Sequence, residues 1–192
     1  MDVSKWRFGL PVLLALMTFA LYWLTLSPTV LDGDSGEFQH MAYYLGVPHA
    51  TGYPLYMLLT HLFTLIPFGD VAFRVNLFSA VCAALTTPLV YGIAFRLIHR
   101  RLPAIFAALF LAITPSVWGA AVQAEVYSMH LFLGGLAIFF AVRWQQDNRP
   151  RDFYALALTC GFGLTHHLLF AFTAPAFLVL VWLNRAHLIV RW

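Results

Sequence analysis

Val75 to Phe95 reads VNLFSAVCAALTTPLVYGIAF, twenty-one residues without a formal charge, closed by Arg96, Arg100 and Arg101. A helix that crosses a bilayer needs about 20 consecutive apolar residues, and this run meets that length. Its surroundings agree. The 192-residue chain is 61% hydrophobic and only 10% charged, whereas a soluble domain carries about 25% charged residues. So few charges cannot cover a water-facing surface. The net charge of +3 is explained by basic residues on loops at a membrane surface and implies no nucleic-acid partner. Cys82 and Cys160 lie in apolar runs and read as buried thiols.

Working outward, Leu10 to Ser27 is an uncharged run preceded by Lys5 and Arg7, with Tyr22 and Trp23 at its far end. Aromatic residues there suit an interface, so this reads as an uncleaved first helix. Tyr53 to Phe68 is apolar but short, and reads as an interfacial or re-entrant helix. Leu102 to Ala124 is uncharged, with Pro115 as a break. Val126 to Val142 is a further span ending at Arg143. Phe153 to Asn184 carries no formal charge and would reach about 48 Å as one helix, against a core of about 30 Å. It must fold back near His166 and His167, giving spans at 153–165 and 168–184. The expected architecture is all-α and integral to the membrane: one transmembrane domain over 1–192, about six spans, and a first outer loop at 28–73 holding interfacial helices.

Basic residues collect on cytoplasmic loops. With the N-terminus inside, Lys5, Arg7, Arg96, Arg100, Arg101, Arg143, Arg149, Arg151, Arg185 and Arg191 are all inside and only Arg74 is outside. The reverse orientation exports ten of them. In the favoured orientation Asp32, Asp34, Glu37, Asp70 and Glu125 face outward, as do His40, His49, His166 and His167, and the inner face is a plain basic rim. The membrane implied is the inner or plasma membrane.

The first outer loop is the most polar stretch. It opens Ser27-Pro28-Thr29-Val30-Leu31-Asp32-Gly33-Asp34-Ser35-Gly36-Glu37. Asp34 or Ser35 can cap a short helix running to about Leu45, with Glu37 in its first turn. That pattern fits a capped amphipathic helix on the membrane. It equally fits a carboxylate held at the interface as a general base. Crowding of three carboxylates is expected to raise their pKa values. His49 to Tyr56 then forms a Gly- and Pro-marked turn into the next helix.

Taken in order, several short motifs carry a resemblance. They are Asp34-Ser35-Gly36-Glu37, Leu45-Gly46-Val47, His49, Gly52-Tyr53-Pro54-Leu55, Pro67-Phe68-Gly69 and Ala72 to Leu77. Ala124-Glu125-Val126-Tyr127 and Gly163-Leu164-Thr165-His166-His167 continue the set. Together they resemble the polytopic proteins related to protein O-mannosyltransferases, which have a GT-C membrane glycosyltransferase fold. The resemblance runs from Pro28 to Asn184. The chain departs from it at Ala50 and Thr51, where the family usually has two prolines, and in length, since members usually continue with more helices.

The resemblance implies transfer of a mannose-like sugar from a polyprenyl-phosphate donor to a hydroxyl acceptor, on a protein or glycan, at the outer face. It implies Asp34 as the catalytic base and Glu37, His49, Tyr53, Glu125 and His166 as substrate-binding residues. Arg74, the single outer cation, is the expected clamp for the donor phosphate. No metal ligand is assigned, because no usual His, Cys or Glu spacing is present, and a divalent cation stays open as a cofactor. The alternative class is a non-enzymatic membrane protein, a transporter fragment or lipid-binding scaffold, in which outer acids and histidines line an ion path. It differs in requiring no lipid-linked sugar.

Overall fold

The computed structural model describes residues 6–185, and every regular element among them is helical. Lys5 and Arg191, used above for orientation, lie outside the described residues. The order is α1 (Trp6–Leu24), α2 (Asp34–Tyr44), α3 (Pro54–Thr64), α4 (Val71–Ile98), α5 (Arg101–Ile113), α6 (Pro115–Ala121), α7 (Val126–Asp147) and α8 (Pro150–His166). A 3-10 turn at Leu168–Thr173 leads into α9 (Ala174–Leu183).

The opening run forms the central helix. One side of α4 places Leu77, Ala80, Ala83 and Ala84 against Tyr22 of α1, Leu26 just beyond it and Ala112 of α5. Another places Val75, Phe78 and Cys82 against Phe38, Tyr56, Met57, Met129 and Leu133. Small residues let these backbones approach closely, which is how helices gain contact in lipid. Interhelical contacts give the directions. Leu14 meets Tyr91, and Asn76 Nδ2 donates to Ser27 O at 2.9 Å, so α1 runs antiparallel to α4. Glu125 N donates to Ser79 Oγ at 3.2 Å and Arg96 pairs with Asp147 at 3.2 Å, so α7 runs parallel to α4. Asp152 pairs with Arg143 at 2.9 Å and His166 reaches Val126 O at 3.0 Å, so α8 returns antiparallel to α7. The loop carboxylates therefore gather at one end of the bundle and Arg96 and Arg143, with their acidic partners, at the other.

By length and composition α4 and α7 can each cross a membrane, and the α5–α6 pair makes a third crossing if its 62° bend is one broken span. The bend falls at Thr114–Pro115, where proline was expected to break the run. The apolar segments Gly9–Leu24 and Leu168–Leu183 are shorter than those spans. The helix breaks after His166 where the fold-back was expected: the backbone turns extended at His167 and Phe170 packs over Gly163. A Cβ at Gly163 would lie 2.4 Å from the Phe170 ring, so this packing needs a residue without one.

Three expectations change. Tyr22 is fully buried, its hydroxyl donating to Ala112 O at 2.8 Å, because it sits where α1 crosses the end of α5. Neither Asp34 nor Ser35 caps α2. The cap is Gly33, at φ 67°, a conformation that glycine adopts at no steric cost, and the chain is already helical at Asp34. The arginine end is no plain rim, since Asp147 pairs with Arg96 and a buried Asp152 with Arg143.

Candidate functional site

The site is assembled by the first polar loop and the ends of α3, α7 and α8. A series of amides fixes the loop. Leu31 N donates to Gln39 Oε1 at 3.1 Å, Gln39 Nε2 to Asn76 Oδ1 at 2.8 Å, and Asn76 Nδ2 to Ser27 O. Gln39 and Asn76 are buried, so polar groups that would cost dearly unpaired are instead satisfied by one another. This holds the start of α2 on α4.

Asp34 and Glu37 project from the first turn of α2 on one face. Glu37 grips His49 twice: Oε1 accepts from the His49 backbone N at 2.8 Å and Oε2 from Nδ1 at 2.6 Å. The remaining ring nitrogen, Nε2, lies 3.2 Å from the Tyr53 hydroxyl. Tyr53 has φ 44° and introduces α3, with Pro54 in its first turn. The tight turn expected at 49–56 is therefore a hydrogen-bonded chain of carboxylate, imidazole and phenol. Glu125 stands at the entry to α7, half-buried. Ligand atoms of Asp34, Glu37 and His49 lie within 4.8 Å of one another. Both Glu37 oxygens accept from N–H groups of His49.

The charges act on one another. The His49 contacts hold the Glu37 carboxyl below its ordinary range, which reverses the expectation that crowding raises it. His49 is pushed up, first by the Glu37 hydrogen bond and then by the charges of Glu37, Asp34 and Glu125. Glu125 is pushed up by burial and then by Asp34, partly offset by a Ser35 hydrogen bond. Burial also raises the Tyr53 phenol, with Tyr127, Asp34 and Glu37 adding to it. The couplings agree with the geometry, in which Asp34, Glu37, His49 and Tyr53 lie together, and they add Glu125 to the group.

Two expected residues are elsewhere. Arg74 is bound to backbone: Nη1 donates to Thr64 O and to Ile66 O at 2.6 Å, and Nε to Asp70 O at 3.0 Å. The guanidinium closes the turn from α3 to α4 and does not reach the carboxylates. His166 is fully buried, and its Nε2–H donates to Val126 O at 3.0 Å, pinning the end of α8 to the start of α7. Its neighbour His167 faces the site instead, with its ring 5.2 Å from Tyr53 and 6.5 Å from the exposed Tyr127. From the sequence, His167 lies at the fold-back on the outer side and only His166 of the pair is named as a site residue; Tyr127 is named only as the end of a motif. A recess of about 290 Å³ lined by Gly36, His40, Tyr43 and Tyr44 lies on the opposite face of α2, and none of the expected site residues line it.

Comparison with known proteins bears on this constellation. A family model described as "Protein O-mannosyl-transferase TMEM260 N-terminal domain" matches residues 34–189. The mouse protein O-mannosyl-transferase TMEM260 is 35% identical over 150 residues, 76% of this chain. The Dictyostelium discoideum protein of the same name is 27% identical over 171 residues, 81% of this chain. The chain spans about a fifth of the length of these curated relatives, 21% in both cases. No solved structure matches it. The match begins at Asp34 itself and runs through the segments carrying His49, Tyr53, Glu125 and His167, and the chain belongs to the family of the protein O-mannosyl-transferase TMEM260 N-terminal domain.

Proposed function

We propose that this chain is the catalytic module of a membrane glycosyltransferase that moves a mannose-like sugar from a polyprenyl-phosphate donor to a hydroxyl of a protein or glycan acceptor. The observation that supports the reading is the cluster of Asp34, Glu37 and His49, their ligand atoms within 4.8 Å of one another, with the Tyr53 hydroxyl on His49 and Glu125 at the entry to α7, at one end of an apolar bundle. A lipid donor lies in the bilayer and the acceptor arrives from water, so a reacting group at that boundary meets both. Asp34 is the base in this reading. It sits at N1 of α2, with the neighbouring Glu37 already committed to His49. The acceptor hydroxyl gives its proton to Asp34 as its oxygen attacks the anomeric carbon. Glu37, His49, Tyr53 and Glu125 line the substrate region. The bundle is of GT-C type, about six crossings counting α1, α8 and α9, with the N-terminus cytoplasmic and the carboxylate end on the outer face.

The test is turnover of a mannosylated polyprenyl phosphate by purified variants. Asp34→Asn keeps the shape and removes the basicity. A positioned base contributes about 10²- to 10⁴-fold in rate, so transfer should nearly vanish while donor binding survives. Asp32→Asn should cost far less. Near wild-type turnover in Asp34→Asn, with loss in Asp32→Asn, would move the base to Asp32. Full activity in both would make the loop structural.

A further inference from the structure

Breaking a glycosyl phosphate bond leaves an anion, and enzymes place positive charge or a proton donor where that charge develops. The cation expected to do so, Arg74, is committed to the carbonyls of Thr64, Ile66 and Asp70. Within the carboxylate group, the side chain able to carry a positive charge is His49.

We infer that His49 is the acid of the reaction: its Nε2–H protonates the phosphate oxygen that leaves the sugar, and Glu37 is the positioning residue that holds the ring for this. The inference rests on the transferase reading above and adds a second reacting group to it. The geometry supports it at three points. Glu37 binds both the backbone N and Nδ1 of His49, at 2.8 and 2.6 Å, which fixes the loop and the ring together. A carboxylate can only accept, so Nδ1 keeps its hydrogen and Nε2 is left as the position that exchanges a proton. Nε2 points at the Tyr53 hydroxyl at 3.2 Å, a long contact that a phosphate oxygen can replace. The His49 side chain is 39% exposed, so a ligand can reach it.

The groups facing His49 are Asp34 and Glu37 from α2, Glu125 from the start of α7 and Tyr53 from the start of α3, with His167 and Tyr127 packed beyond Tyr53. Three carboxylates favour the imidazolium, and the pKa of His49 is raised accordingly. A ring hydrogen-bonded to one carboxylate and facing two more suits an acid better than a base, and that leaves the acceptor proton to Asp34. Two neighbouring groups thus take opposite roles. In the step, the acceptor oxygen bonds to the anomeric carbon and its hydrogen passes to Asp34. The bond from the anomeric carbon to the phosphate oxygen breaks, its electron pair stays on that oxygen, and the Nε2 proton joins it. Proton return from Asp34 to His49 through solvent resets the site, so the transfer neither gains nor loses protons.

The experiment compares two mannosyl donors in the same chain: mannosylated polyprenyl phosphate and 2,4-dinitrophenyl mannoside, whose leaving group departs without a proton. His49→Gln should lower transfer from the phosphate donor about 100-fold, with the deficit shrinking to a few-fold on the dinitrophenyl donor. The fall in wild-type rate at alkaline pH should vanish in His49→Gln and move to lower pH in Glu37→Gln. Equal losses of His49→Gln on both donors, or survival of the alkaline fall, would overturn the acid role. Asp34→Asn should fail on both donors, so the base and the acid are judged separately. An independent readout needs no turnover: nitrogen-15 NMR of the His49 ring should show a titration midpoint above 6.5 that drops in Glu37→Gln. A midpoint at or below that value, unmoved by Glu37→Gln, would also overturn it.

Discussion

Replacing Arg74 by glutamine separates two readings of the same residue. The sequence offers it as a phosphate clamp. The structure shows its guanidinium on Thr64 O, Ile66 O and Asp70 O, closing the turn between α3 and α4. Hydrogen bonds from a charged donor contribute about 1.5–3 kcal/mol each when buried. Two of these three contacts are part-buried and the third is exposed, and carbonyls freed at a surface regain water. About 2 kcal/mol in total is a fair magnitude for local opening. At about 1.4 kcal/mol per factor of ten, that is roughly a 30-fold change in the opening equilibrium. The reporters are the amides of Leu65, Ile66 and Phe68, which bond to Leu62 O, Phe63 O and Ile66 O. Hydrogen exchange followed by mass spectrometry on the protein in detergent should find these about 30-fold faster in Arg74→Gln, with exchange in the middle of α7 unchanged. Unaltered exchange across 65–68 together with weakened binding of a polyprenyl phosphate would refute the staple and restore the clamp.

Asp152→Ala should destabilise the α7–α8 corner by about 2–4 kcal/mol, since it strands Arg143; a melting point in detergent should fall by several degrees, and the pairing of Arg143→Met with Asp152→Leu should recover most of it. Gly163→Ala drives a methyl into the Phe170 ring and should cost about 1–3 kcal/mol, whereas Gly161→Ala, with nothing near it, should be neutral or stabilising; thermal scans of the two side by side check this. The Glu37–His49 pair sets a pH window for the 46–53 turn. Glu37 has a lowered pKa, so its contribution is full above its ordinary 4.5 and is lost as pH falls through the lower folded value. His49 has a raised pKa, so its contribution is full below 6.5 and is lost as pH rises through the higher folded value. Protease resistance of the turn should therefore be greatest between about 4.5 and 6.5 and decline on both sides.

The helical membrane character was legible because hydropathy acts over whole windows, and the run from Val75 to Phe95 is unmistakable by length. The break at Pro115 was legible for a local reason, a missing N–H. What depends on contacts distant in sequence was not. Tyr22 looks interfacial until Ala112 is seen above it. Arg74 looks free until the turn at 64–70 wraps its carbonyls toward it. The sequence points to His166 of the pair for the site, but α8 ends there and the chain turns extended at His167, so the packing of His166 on Val126 O sends the other ring toward Tyr53. Asp34, Glu37 and His49 were found through a motif, yet the Glu37–His49 bond spans twelve positions, a loop closure that no local pattern reports.

The amide series from Leu31 to Ser27 has a further consequence. All three of its bonds point the same way, from a backbone N–H, through two carboxamides, to a backbone carbonyl. Its two ends lie only four residues apart, so Pro28, Thr29 and Val30 are enclosed in a ring closed by side chains. Such a ring works as a gauge of chain length. One residue more or fewer between Ser27 and Leu31 would move one end out of reach and leave buried carboxamides facing nothing. A single acid in place of either amide would remove a donor and break the direction of the series. The stretch with no regular structure before Asp34 is thus as tightly metered as any helix in the bundle, and the path from the end of α1 toward Asp34 is built into it.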